Sequence, residues 1–199
     1  MKGELFGLNI SGLKTKTGSE ANYIEDYGLV SGYASTWIRE PDAYGDIVRK
    51  GAFHDSIEKI KREKRSIPFL FNHQHDNIRS YIGTVTELQE DDHGLFFIAE
   101  FDNTEEAQRA RELVKTGRIN GFSFAYNIFD QGMAYLEDGT KANELRELEL
   151  LEISLTMYPA NRDTSVISVK NMKELLKENT KDIKRKASLL REAERLLRK

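Results

Sequence analysis

Residues 119–129, INGFSFAYNIF, and 147–159, ELELLEISLTMYP, decide how this chain is read. Successive side chains of an extended strand point to opposite faces, so residues two apart share a face. In the first segment Phe122, Phe124, Tyr126 and Ile128 lie on one face, and Gly121, Ser123, Ala125 and Asn127 on the other. An apolar face opposite a row of small residues suits a strand that packs a core on one side and leaves room for a ligand on the other. In the second segment Leu151, Ile153, Leu155 and Met157 share a face, while Glu152, Ser154 and Thr156 share its opposite, and Pro159 ends the strand. A loop around Asp138-Gly139 predicts that the two strands pair as a hairpin, which would let Ser123 and Glu152 face one groove.

Upstream, the segments 28–36 (GLVSGYAST), 67–73 (IPFLFNH), 81–88 (YIGTVTEL) and 94–101 (GLFFIAEF) are short, β-branched and aromatic, with turn residues between them. They predict strands. The run EDDHG predicts a hairpin turn between the last two, with Gly94 free to take a positive φ. Residues 53–65 form the exception, because Phe53, Ile57 and Ile60 recur at helical spacing beside a charged face. A second helix is predicted over 103–118, where Asn103 and Glu106 have capping-box spacing and Gly117 closes the end. From residue 171 onward Leu176, Ile183, Leu190 and Leu197 recur every seven residues, half of a heptad seam on a long polar helix.

Composition narrows the chemistry. The chain has 199 residues, enough for one ordinary domain with appendages, and is 39% hydrophobic and 32% charged. No stretch is long and apolar enough for a membrane span, and the N-terminus lacks a signal-peptide layout, so folding in the cytoplasm is expected. The absence of cysteine removes disulfides, thiolate nucleophiles and cysteine-based metal sites. Residues 171–199 carry 10 Lys/Arg against 5 Asp/Glu, leaving 20 against 28 elsewhere, and an acidic body does not suit a nucleic-acid-binding face.

Four histidines are available as a general base: His54, His73, His75 and His93. His54 begins a surface helix and His93 sits in a turn, positions that suit solvated side chains. His73 closes the apolar run IPFLF, where a strand delivers a side chain to the rim of a sheet, and His75 follows in a loop. A serine hydroxyl becomes a nucleophile when a neighbouring base takes its proton, and the imidazole in turn needs an orienting partner. Ser123, His73 and Glu152 supply that set, without a G-x-S-x-G elbow. The competing chemistry is a metal site at His73-x-His75-Asp76. Catalytic zinc ordinarily takes three protein ligands, and neither an HExxH helix nor a third neighbouring histidine is present, so no metal or cofactor is expected.

Four separated segments carry a family resemblance: 32–53 (GYASTWIREPDAYGDIVRKGAF), 69–88 (FLFNHQHDNIRSYIGTVTEL), 117–128 (GRINGFSFAYNI) and 148–161 (LELLEISLTMYPAN). In this order they resemble the opening strand, catalytic-histidine strand, nucleophile strand and acidic strand of the phage prohead (head maturation) proteases, relatives of the herpesvirus assemblin serine proteases. The resemblance covers roughly residues 28–165. It implies Ser123 as nucleophile and His73 as base, with His75, which precedes Asp76, as the alternate base. The third member falls on Glu152; Glu147 and Glu149 lie on the same acidic stretch but share the core-directed parity. Further implications are an α+β fold built on a mainly antiparallel closed β-barrel flanked by helices, and residues 1–170 as the protease domain with 171–199 as a basic helical tail. The expected activity is that of a metal-free serine endopeptidase, dimeric, working inside the assembling procapsid in the host cytoplasm. Its substrates would be the major capsid protein, the scaffold protein or both, and the protease itself, with backbone N–H groups as oxyanion donors. A non-catalytic capsid-assembly module of the same shape is the alternative, and a metal-dependent hydrolase using His73 and His75 is a third.

Overall fold

The computed structural model describes residues 28–161, Thr164 and the backbone of 166–170, so the helix expected over 171–199 lies outside the described residues. In chain order the elements are β1 (Leu29–Thr36), β2 (Asp46–Val48), α1 (His54–Glu63), β3 (Ile67–Phe71), β4 (Tyr81–Glu90), β5 (Gly94–Phe101), α2 (Glu105–Lys115), β6 (Gly121–Tyr135), β7 (Lys141–Thr156) and β8 (Val166–Lys170). All eight strands belong to one sheet in the order β2-β7-β3-β4-β5-β1-β8, with β6 on the other edge of β7. Both α1 and α2 match the predicted helices. The cap of α2 is Thr104, one residue later than expected: its side chain accepts a hydrogen bond from the Ala107 N–H at 3.2 Å.

The expected closed, mainly antiparallel barrel is not what forms. The sheet is mixed and curls into a half-barrel, because β2 and β3 both run parallel to β7 while the remaining paired strands with a printed register run antiparallel. Among the described residues β6 pairs only with β7, and β8 ends the other side of the ladder, so the ring stays open.

β7 organises this sheet. One edge pairs with β6 along nearly its whole length, and the other edge passes from partner to partner. β2 pairs with Asn143–Leu145, and β3 pairs with Ile153–Leu155. Between them the Leu148 N–H donates to the Ala52 carbonyl at 2.8 Å, and the Leu150 N–H donates to Ser56 Oγ of α1 at 2.9 Å. Buried backbone donors must be satisfied. The start of α1 therefore fills the gap between two short strands.

The core lies inside the curl. Phe69, Phe97, Phe101 and Phe122 are fully buried, and Phe97 meets Phe122 edge-on, with ring centroids 4.8 Å apart at 87°. Ala107, Ala110 and Val114 of α2 and Phe53, Ile57 and Ile60 of α1 join the same cluster. The β4–β5 hairpin forms as predicted, but for a different reason at Gly94. Its φ is not positive; a Cβ there would sit 2.1 Å from the Ser35 carbonyl oxygen of β1. Close approach of two backbones, rather than turn geometry, requires that glycine. No helix among the described residues is long and apolar enough to cross a membrane.

The Ser56 bridge is testable. Ser56→Ala leaves the Leu150 N–H buried without a partner and is expected to lower the unfolding free energy by about 1–3 kcal/mol in urea denaturation. Ser66→Ala, at an exposed position between α1 and β3, stays within about 0.5 kcal/mol of the parent.

Candidate active site

The β6–β7 register sets the site. Ser123 lies directly across from Ser154, and Ala125 across from Glu152. Directly opposed residues of an antiparallel pair project to the same face, so Ser123, Ser154 and Glu152 share one. This is the face predicted for all three.

The register then breaks in a way that strict alternation missed. Glu152 opposes Ala125 while Leu150 opposes Tyr126, so Leu151 is an extra residue, a β-bulge. Leu150, Ile153 and Leu155 all enter the core, whereas Leu151 is 40% exposed. The expected core-facing position of Leu151 is therefore corrected, and so is that of Met157, which lies one residue past the end of β7 and is exposed. The parity argument that turned Glu147 and Glu149 toward the core fails for the same reason. They alternate with buried Leu148 and Leu150; Glu147 is exposed, and Glu149 binds Lys59 Nζ at 2.9 Å on the flank. The Lys59 hydrogen bond, followed by that of Asn127, holds the Glu149 carboxyl below the usual range.

Glu152 does not stand on an open, solvated face. Only 1% of it is exposed. One carboxylate oxygen, Oε1, lies 2.5 Å from His73 Nδ1, and Oε2 accepts from Ser154 Oγ at 2.7 Å. An ionised carboxylate can only accept, so a neutral imidazole facing it carries its proton on Nδ1 and keeps the Nε2 lone pair.

His73 reaches this carboxylate through a turn at the end of β3. Asn72 and His73 both have φ of 56°, the left-handed region that non-glycine residues seldom occupy. Each such residue costs about 1–2 kcal/mol. Three hydrogen bonds hold the turn: Asn72 N–H to the Leu155 carbonyl at 2.9 Å, His73 N–H to Ser154 Oγ at 3.1 Å, and Thr156 Oγ1 to Asn72 Oδ1 at 3.1 Å. Ser154 thus accepts from the backbone that presents His73 and donates to the carboxylate that orients it. Sequence reading assigned Ser154 no role. Its position opposite Ser123, on the face of Glu152, was the available signal.

His73 and Ser123 line one cleft of about 430 Å³, between the end of β1, the connection from β1 to β2, and the first half of β6. His75 lines it too, exposed to solvent, and its N–H donates to the His73 carbonyl at 3.0 Å. The His75 ring makes no hydrogen bond among the described residues, in contrast to that of His73. His54 is exposed at the start of α1, and His93 sits in the β4–β5 turn against the Tyr33 ring. Among the described residues no group of three His, Asp or Glu side chains converges to hold a metal ion.

Known proteins resemble this chain in sequence or in fold. The prohead protease of Escherichia phage T5 is 27% identical over 143 residues, which cover 72% of this chain and 63% of that protein, so the chain spans less than two thirds of that relative's length. The structure of the bacteriophage T4 capsid assembly protease superposes with a TM-score of 0.50 at 9% identity, covering 64% of this chain and 80% of that one. That likeness is one of fold. The KSHV protease gives a TM-score of 0.40 at 13% identity, over 70% of this chain and 63% of that one. Residues 14–178 match the family model for the caudovirus prohead serine protease, and that match covers most of the sequence. The chain belongs to the caudovirus prohead serine protease family.

Proposed function

We propose that this protein is a serine endopeptidase of phage head maturation, with Ser123 as nucleophile, His73 as general base and Glu152 as the group that orients the base. One observation carries this reading: a carboxylate almost wholly removed from water spends its two oxygens on His73 Nδ1 and Ser154 Oγ, while His73 and Ser123 open onto the same cleft. Burying a charge is costly unless it is fully hydrogen-bonded. Here the cost goes into fixing the tautomer and direction of one imidazole.

In the reaction Ser123 Oγ attacks the carbonyl carbon of the scissile peptide as its proton passes to His73 Nε2. Glu152 stabilises the imidazolium that forms. Collapse of the tetrahedral intermediate expels the amine, which takes the proton from His73, and leaves an acyl group on Ser123. Water, deprotonated by the same imidazole, releases the acid. The lone orienting contact favours His73 over His75 as base.

The substrates we infer are the capsid protein, the scaffold protein and the protease itself, cut inside the procapsid by a homodimer. The family and the T5 and T4 relatives' names support this reading. Residues 171–199, basic and heptad-spaced, are proposed as a tail separate from the protease domain of residues 1–170.

Co-expressing the chain with its capsid protein tests the mechanism. Wild type should shorten the capsid protein, and Ser123→Ala should leave it intact on a denaturing gel; continued shortening would refute the serine mechanism.

Glu152→Gln is expected to lower kcat by about 10²–10⁴, since an amide neither stabilises the imidazolium nor holds the tautomer. His75→Ala should retain most of the wild-type kcat, and the reverse ranking would move the base to His75. Ser154→Ala, which loosens both His73 and Glu152, should cost roughly 100-fold in kcat with little change in KM, with partial recovery in Ser154→Thr.

A further inference from the structure

Resting on the reading of the cleft as the substrate channel, we propose that the side-chain amide of Asn72 donates a hydrogen bond to a backbone carbonyl oxygen of the peptide being cut, at the scissile bond or next to it. Asn72 directly precedes the proposed base, and both residues line the cleft with Ser123. β7 anchors each of them twice. For His73 the anchors are Ser154 and Glu152. For Asn72 they are the Leu155 carbonyl, which accepts its N–H at 2.9 Å, and the Thr156 hydroxyl, which donates to Oδ1 at 3.1 Å.

The second anchor decides which way round the amide sits. Thr156 Oγ1 accepts the Tyr158 N–H at 3.2 Å, so its own proton is the one left to give, and a carbonyl oxygen takes it where an amide nitrogen cannot. Oδ1 is therefore turned to Thr156. Nδ2 is turned away, with two N–H donors that make no hydrogen bond among the described residues. Thr156 is buried, whereas Asn72 is exposed. An asparagine left to water keeps its rotamers, and freezing it costs entropy. Here a buried hydroxyl and a left-handed backbone hold an exposed amide in one orientation, as a donor fixed in advance of its acceptor.

The position suits a peptide. Thr156 pairs with Gly121, two residues along the ladder from the Ser123–Ser154 pair, so its side chain shares the face of Ser123, about 7 Å away at strand rise. Successive units of an extended peptide are spaced at about half that distance. A donor held by Thr156 therefore meets the carbonyl at Ser123 or one beside it. A role in the turn alone would need only an acceptor for Thr156. Aspartate supplies that acceptor and takes the left-handed conformation about as readily as asparagine, so Asn72→Asp keeps the turn and replaces the donor with an anion.

Steady-state kinetics on a fluorogenic peptide spanning the capsid-protein cut site, run at a pH where the imidazole of every variant is neutral, test the contact. Asn72→Asp and Asn72→Gly should melt within a few degrees of wild type and lose about tenfold or more in kcat/KM. A fall in kcat places the acceptor at the scissile carbonyl, and a rise in KM places it at a flanking one. Thr156→Val, which frees the amide, should cost severalfold alone and little more in the Asn72→Asp background, because both act through one contact. Kinetics within about twofold of wild type in Asn72→Asp, whatever Asn72→Gly does, reduce Asn72 to a turn residue and overturn the proposal, while an inactive Ser123→Ala leaves the peptidase reading standing. If neither Asn72 variant folds, Thr156→Val decides: a severalfold loss at the wild-type melting temperature supports the contact, and full activity overturns it. Cleavage that persists in Ser123→Ala removes the peptidase reading itself, and the contact with it.

Discussion

A carboxylate taken out of water must find donors in the protein, and at Glu152 that requirement ties the end of β3 to β7. His73 Nδ1 comes from the turn after β3, and Ser154 Oγ from the same strand two residues on. Ser154 in turn accepts the His73 N–H. The three groups form a closed cycle in which each orients the next. Such a cycle is strong when complete and costly when one member is missing, because the low local dielectric magnifies satisfied and unsatisfied contacts alike. Ser123 stands across the ladder from this cycle without being consumed by it, so its hydroxyl is not committed to holding the fold.

The left-handed pair Asn72 and His73 belongs to the same account. Two consecutive residues in that conformation are unfavourable by themselves, and they persist because hydrogen bonds to Leu155, Ser154 and Thr156 overdetermine them. The turn ends β3 at Phe71 and brings the imidazole to Glu152. A strained turn that presents the proposed base keeps its geometry at some expense in stability.

Much of this was legible in the sequence. The apolar rows at Phe122 and Ile153, the helical spacing of Ile57 and Ile60, and the turn at Asp138-Gly139 each specify local structure through side-chain periodicity, and each appears in the fold. Ser123 and Ala125 of the predicted small-residue face line the cleft, together with Phe122, Phe124 and Tyr126 of the apolar face. Three things were not legible, for physical reasons. Alternation cannot register an inserted residue, so Leu151, Glu147 and Glu149 were assigned to the wrong faces, and it does not show where a strand stops, so Met157, past the end of β7, was placed in the core. Strands of three residues such as β2 carry too little pattern to be seen, yet β2, with β3, makes the sheet mixed. Barrel closure depends on which edges meet across long separations, and no local pattern encodes whether β6 finds a second partner. The role of Ser154 was hidden because a serine on a strand face looks the same whether it touches water or a buried carboxylate.

The bulge at Leu151 lets the two halves of β7 be counted separately. Leu151 itself points outward, and many side chains would serve there. Without it, Leu150, Glu152 and Ile153 would follow one another in plain alternation, with Leu150 and Ile153 still in the core and Glu152 still on the face of Ser123. Among relatives that keep this arrangement, chain length can therefore differ by one residue at this point, while the run from Glu152 to Thr156 keeps both its length and its order. A gap placed at Leu151 in a comparison of two such chains would mark a regularised strand, not a lost site.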